Sequence, residues 1–149
     1  MTTFDIMLVQ QTFAQIAPVA DLVADLFFAR LFQLDPTLRV LFPNDLRSTK
    51  MRLMRALAQS VREIQTAGDA TSEIAALGRR HLGYGVQPKH YQTFGEALLW
   101  TLEKGLGEGF TFETRQAWQR WYAQLVRVMQ SPGAISVPEH TDRHIETQI

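Results

Sequence analysis

Leu77-Gly-Arg-Arg-His81-Leu-Gly-Tyr-Gly-Val86 places one histidine where a helical apolar stripe meets a glycine-rich turn. Ile74, Leu77, His81 and Leu82 follow helical spacing, so the imidazole points the same way as the aliphatic side chains. A titratable ring on an apolar face needs a partner, because burying an unpaired polar group costs free energy. Iron is one such partner and a backbone carbonyl of the surrounding core is another. By itself the segment favours the carbonyl.

The sequence on either side reverses that preference. Downstream stand His81-Leu-Gly-Tyr-Gly-Val86, Pro88-Lys-His-Tyr91 and Phe94-Gly-Glu-Ala-Leu-Leu-Trp100; upstream stand Phe27-Phe-Ala-Arg-Leu-Phe32, Asp35-Pro36 and Leu41-Phe42. In order and spacing these segments resemble the bacterial single-domain globins and the neuroglobins. The resemblance covers residues 3–130. It implies an all-α globin fold of about seven helices enclosing a haem, with His81 as the metal ligand.

Composition agrees with a globular chain and narrows the partners. The 149 residues suit one domain with a sizeable core. Fifteen basic and fifteen acidic residues are interspersed and cancel, so nothing favours nucleic acid or an anionic membrane surface. The absence of cysteine excludes disulfides, thiolate metal sites and a cysteine nucleophile. No apolar run reads as a membrane span, and Met1-Thr-Thr-Phe-Asp5 lacks the basic start of a signal peptide. A cytoplasmic protein is therefore expected.

The pattern is helical throughout. A first helix is expected with Thr3 as N-cap and Val9, Phe13 and Ile16 as its stripe. Pro18 offsets it from a second helix, in which Val19, Leu22, Val23, Leu26, Phe27 and Phe32 make a wide apolar face. Asp35-Pro36 opens a short turn ending near Phe42, and Pro43-Asn-Asp-Leu-Arg-Ser-Thr49 reads as a loop. Leu53, Leu57, Val61 and Ile64 mark a third helix closed by Gly68-Asp69, and residues 72–82 form the His81 helix. Pro88 starts the next, with Phe94, Leu98, Thr101 and Leu102 inward. Thr111 caps the last, whose stripe is Trp118, Trp121, Tyr122, Leu125 and Met129. Residues 1–133 make the domain, and 134–149 read as a flexible tail.

The resemblance assigns a cofactor pocket for haem b. Phe42 matches the haem-stacking phenylalanine, and Phe94 and Leu98 join the pocket. The carbonyl of Leu77, one turn before His81, is placed to fix the imidazole through its other nitrogen. Tyr91 either sits beside that histidine or is a packing residue with its hydroxyl at the protein edge. The related flavohaemoglobins often add a glutamate from the last helix. Gly133 stands near its place, and no carboxylate lies between Arg127 and Val137, which argues against a strongly activated histidine. Arg52-Leu-Met54 sets the register of the third helix. It puts Leu53 over the iron and Thr49 where a distal histidine or glutamine often stands. Arg52 either reaches a haem propionate or is a solvated helix charge. Lys50 is a weaker candidate for distal ligand or propionate contact. Phe28 occupies the position where many relatives carry tyrosine.

This ligand pocket of Phe28, Phe42, Leu53 and Leu98 offers one hydroxyl, that of Thr49. A hydrogen bond to charge-bearing oxygen is worth roughly 1.5–3 kcal/mol, so weak retention of dioxygen and an elevated preference for CO are expected. The implied function is reversible binding of dioxygen, CO or NO at a five-coordinate iron, as in oxygen transport. The alternatives are NO dioxygenation or peroxidase-like turnover, which would need a separate reductase, and gas sensing. A monomer or weak homodimer is expected. His90, in a first helical turn, reads as exposed, and His140 and His144 as surface residues.

Overall fold

A computed structural model describes residues 1–67 and 86–130, the side chains of 64–67 excepted. His81, Leu77, the expected 72–82 helix and the tail, with Gly133, His140 and His144, lie outside the described residues. Within them the chain is helical, with no strand. Five α-helices are seen: α1 (Thr3–Ile16), α2 (Ala20–Leu34), α3 (Arg47–Ala67), α4 (Pro88–Leu106) and α5 (Phe112–Met129). Short 3-10 turns at Ala17–Val19, Pro36–Leu41 and Gly107–Gly109 join them.

Local chemistry sets most of these boundaries. The cap of α1 is Thr2 rather than Thr3. Asp5 accepts the Thr2 N–H at 2.9 Å while the Thr2 hydroxyl accepts the Asp5 N–H at 3.0 Å. A reciprocal box of this kind fixes the cap three residues before the carboxylate. Asp35 caps the turn that Pro36 opens, its carboxylate accepting the Thr37 N–H at 3.0 Å. Thr111 caps α5 by accepting the Thr114 N–H at 3.1 Å. Gly107, at φ 56, ends α4 in a conformation that side chains disfavour.

Helix α1 lies along α5, α2 packs on α4, and α3 touches α1, α2 and α5. The seam of α1 and α5 buries Val9, Phe13 and Ile16 with Trp118. Two expectations for α2 fail: Val19 and Leu22 are exposed. The 3-10 turn at Ala17–Val19 holds Val19 before the helix begins, and α2 buries Val23, Ala24, Phe28 and Leu31 instead. The helical stretch Thr3–Leu34 is long and apolar enough to cross a membrane by length and composition, which the sequence reading did not anticipate. Its buried faces are covered by α4 and α5.

Candidate functional site

Helices α2, α3, α4 and α5 and the loop after Leu41 line an open cavity of about 720 Å³. That size falls within the range of sites for small organic ligands. Phe28, Phe42, Thr49, Arg52, Leu53, Tyr91, Phe94 and Leu98, separated by up to seventy residues in the chain, all line it. Of the site residues expected from sequence within the described region, all but Lys50 thus line one space.

Helical geometry accounts for this convergence. Phe28 is buried on α2, and its ring meets the edge of Phe42 at 5.3 Å between centroids. Phe32 also stacks edge-on with Phe42, at 5.7 Å. The loop phenylalanine is therefore held from both sides by one face of α2. On α4, Tyr91, Phe94 and Leu98 follow helical spacing, and the Tyr91 and Phe94 rings meet edge-on at 6.0 Å. On α3, Thr49, Arg52 and Leu53 share one face. Phe42, Leu53 and Phe94 are only partly buried, although apolar. Covering them would release about 25 cal/mol per Å², so an apolar occupant is favoured.

Several cavity residues were missed by the sequence reading. Trp121, Tyr122, Leu125 and Met129 read as core stripe, yet they form the α5 wall. Gln59 and Ser60 line the cavity from α3, adding polar groups to a pocket expected to hold one hydroxyl. A stripe signals only that a face is covered, not whether protein or ligand covers it.

Polar atoms divide sharply. Among the described residues, Thr49 Oγ1, Trp121 Nε1 and Arg30 Nε are buried without a hydrogen-bond partner. The first two belong to cavity residues. Buried polar groups in native proteins are nearly always paired, so unpartnered atoms at a cavity mark it as a binding space. The Tyr122 hydroxyl donates to the Tyr91 carbonyl at 2.6 Å, tying α5 to the first turn of α4. Gly95 permits that contact: a Cβ there would come within 2.7 Å of Tyr122 Cε2. Burial pushes the Tyr91 phenol up to about 12 and raises the Tyr122 phenol further. Both rings therefore stay neutral in ordinary solution.

Two histidine and lysine readings change. His90 is buried, not exposed. Its Nδ1 accepts the Gln87 N–H at 2.9 Å, which folds the ring back over the helix start, tilted against Phe94 at 6.5 Å. The Lys50 ammonium pairs with Asp25 on α2 at 2.8 Å, an arrangement that sets it aside as a distal ligand.

Comparison with known proteins follows the geometry. The family model described as Globin matches residues 25–129. A neuroglobin from Tetraodon nigroviridis is 30% identical over 118 residues, covering 70% of this chain and 74% of the relative. One from Danio rerio is 31% identical over 116 residues, covering 68% and 73%. A flavohemoprotein from Xylella fastidiosa (strain 9a5c) is 29% identical over 133 residues, or 87% of this chain. The chain spans a third, 33%, of that relative's length. The crystal structure of a flavohemoglobin from Malassezia yamatoensis with bound FAD and heme superposes with a TM-score of 0.68 at 24% identity, over 99% of this chain and 38% of that one. That likeness shows a shared fold. The chain belongs to the globin family, a class of helical haem-binding proteins.

Proposed function

We propose that this chain seats haem b in the cavity, with His81 as the protein ligand to iron, and reversibly binds diatomic gases there. The observation that carries the proposal is the cavity itself: three helices and the loop after Leu41 bring Phe28, Phe42, Leu53, Phe94 and Leu98 to one space of about 720 Å³. A large, flat, apolar disc fits such walls, and the few polar lining atoms leave its faces in contact with hydrocarbon. When bound, haem supplies an iron with an open coordination position for dioxygen, CO or NO.

The chain's own residues set the selectivity. On α3, Leu53 and Thr49, whose hydroxyl is buried and unpartnered, line the cavity together with Phe28 and Phe42. A neutral hydroxyl such as that of Thr49 is a weaker donor than an ionised partner. Dioxygen should therefore leave readily, and CO, less dependent on a donor, should be favoured. With Lys50 held by Asp25, a five-coordinate ferrous state is expected. Arg52 lines the cavity, which supports the reading that it meets a haem propionate. Turnover of the flavohemoprotein kind would call on a reductase.

Absorption spectra of the haem-reconstituted protein in ferric, ferrous and CO-bound forms test the reading. An intense Soret band that shifts with CO, and is weakened or displaced in His81→Ala, is expected. The same spectrum with alanine at that position would overturn the ligand assignment.

A further inference from the structure

We propose that Trp121 and Trp118 form an electron relay leading out of the cavity, oxidised when the haem-loaded protein meets hydrogen peroxide. This rests on the haem reading above. Trp121 lines the cavity, is 1% exposed, and its N–H has no partner. Trp118 is fully buried, does not line the cavity, and meets Trp121 edge-on with centroids 5.1 Å apart. Its own N–H is held by the Thr12 hydroxyl at 2.9 Å, pointing to α1. The two indoles thus run from the cavity wall into the α1–α5 seam.

The other oxidisable rings are less suited. Tyr91 and Tyr122 also line the cavity, but a phenol must shed its proton to yield an electron easily. Burial opposes that at both, and Tyr122 donates to a backbone carbonyl, which is no base. Trp100 does not line the cavity. The Arg30 guanidinium lies 5.2 Å and the Lys104 ammonium 5.5 Å from its ring, and adjacent positive charge opposes loss of an electron. The chain has no cysteine to intercept the oxidant.

The electrons balance. Reducing one hydrogen peroxide breaks its O–O bond and forms two waters, consuming two electrons and two protons. Trp121 and Trp118 supply one electron each, and solvent supplies the protons. An indole that loses a second electron forms a C–O bond with water and sheds two protons, leaving hydroxytryptophan as a permanent mark. One peroxide is then consumed per oxygen atom added.

The test uses the full chain, first shown to carry haem by its Soret band and then mixed with hydrogen peroxide. Freeze-quench EPR of protein grown with ring-deuterated tryptophan should show a radical signal narrowed by the label. Trypsin cuts after Arg115, Arg120 and Arg127, so Trp118 and Trp121 fall in different peptides. Mass spectrometry should find one added oxygen on each, and none on Trp100. In Trp121→Phe the addition at Trp118 should disappear, because Trp118 is reached only through Trp121. In Trp118→Phe the addition at Trp121 should rise. Undiminished oxidation of Trp118 in Trp121→Phe, loss of oxidation at Trp121 in Trp118→Phe, or no tryptophan radical in haem-loaded wild type would each overturn the relay. Absence of a Soret band would overturn the haem reading instead.

Discussion

Trp118 and Trp121 sit one helical turn apart on α5, yet they belong to two different kinds of interior. Trp118 faces the α1 seam, where its N–H donates to Thr12 and the Thr12 hydroxyl in turn donates to the Leu8 carbonyl at 2.6 Å. At the far end of that seam, buried Asp5 is held by Thr2 and by Arg120 at 3.1 Å. Trp121 lines the cavity and its N–H is buried without a partner, as is the hydroxyl of Thr49, which lines the cavity from α3. Satisfied polar atoms identify the seam as finished structure. Unsatisfied ones identify the cavity as a place whose chemistry is completed by something other than the described chain.

Substitutions should separate the two regions. Trp118→Ala empties the seam and should cost about 3–5 kcal/mol of unfolding free energy, measured by urea titration. Phe42→Ala, at the half-buried cavity wall, should cost less in the haem-free protein and should show mainly as faster haem loss. A similar penalty at both sites would erase the distinction. Thr12→Val strands the Trp118 N–H and should destabilise by about 1–3 kcal/mol. Gly95→Ala drives a methyl against the Tyr122 ring that Tyr91 anchors, with a cost in the same range, about 1–3 kcal/mol.

Thr49→Val is the mirror image of Thr12→Val. It removes a buried hydroxyl that has no partner, so the haem-free protein should be unchanged or slightly more stable. A loss as large as that of Thr12→Val would mean that Thr49 is part of the finished core. In the haem-loaded protein the same change should speed dioxygen release while leaving CO release nearly constant, which flash photolysis and stopped flow would resolve.

The smallest effect is electrostatic. Burial pushes the Asp5 carboxyl upward, but hydrogen bonds from Thr2 and the Arg120 guanidinium outweigh it and hold the group below its usual value of 3.8. A depressed folded-state pKa gives stability that is present above the unfolded value and lost as pH falls through the folded one. Wild type should therefore lose stability below about pH 4 more steeply than Asp5→Asn. Parallel acid-unfolding curves for the two would remove Asp5 from the seam's account.

The sequence showed the fold where local chemistry decides it. Pro36, Pro88 and Thr111 start their elements as expected, and the Val9, Phe13, Ile16 stripe is buried as its spacing requires. It misled where tertiary direction decides. Val19 and Leu22 look buried by composition, but the turn after Pro18 sets the rotation of α2, and periodicity does not reveal it. His90 looked exposed because a first helical turn is usually wet; its back-bond to Gln87 turns the ring inward. Of the site, what the sequence made legible is that Phe28, Phe42, Thr49 and Leu53, expected to share a pocket, line one cavity from three segments. The α5 wall was not, because Trp121 and Trp118 follow the same apolar spacing and only the fold tells which one faces the cavity.

Titrating the haem-free chain with haem and following the Soret band tests the central claim most directly. The account predicts saturation at one haem per chain, with quenching of Trp121 fluorescence that is absent in Trp121→Phe. A featureless titration, in which absorbance rises only as free haem accumulates and tryptophan emission is unmoved, would contradict it.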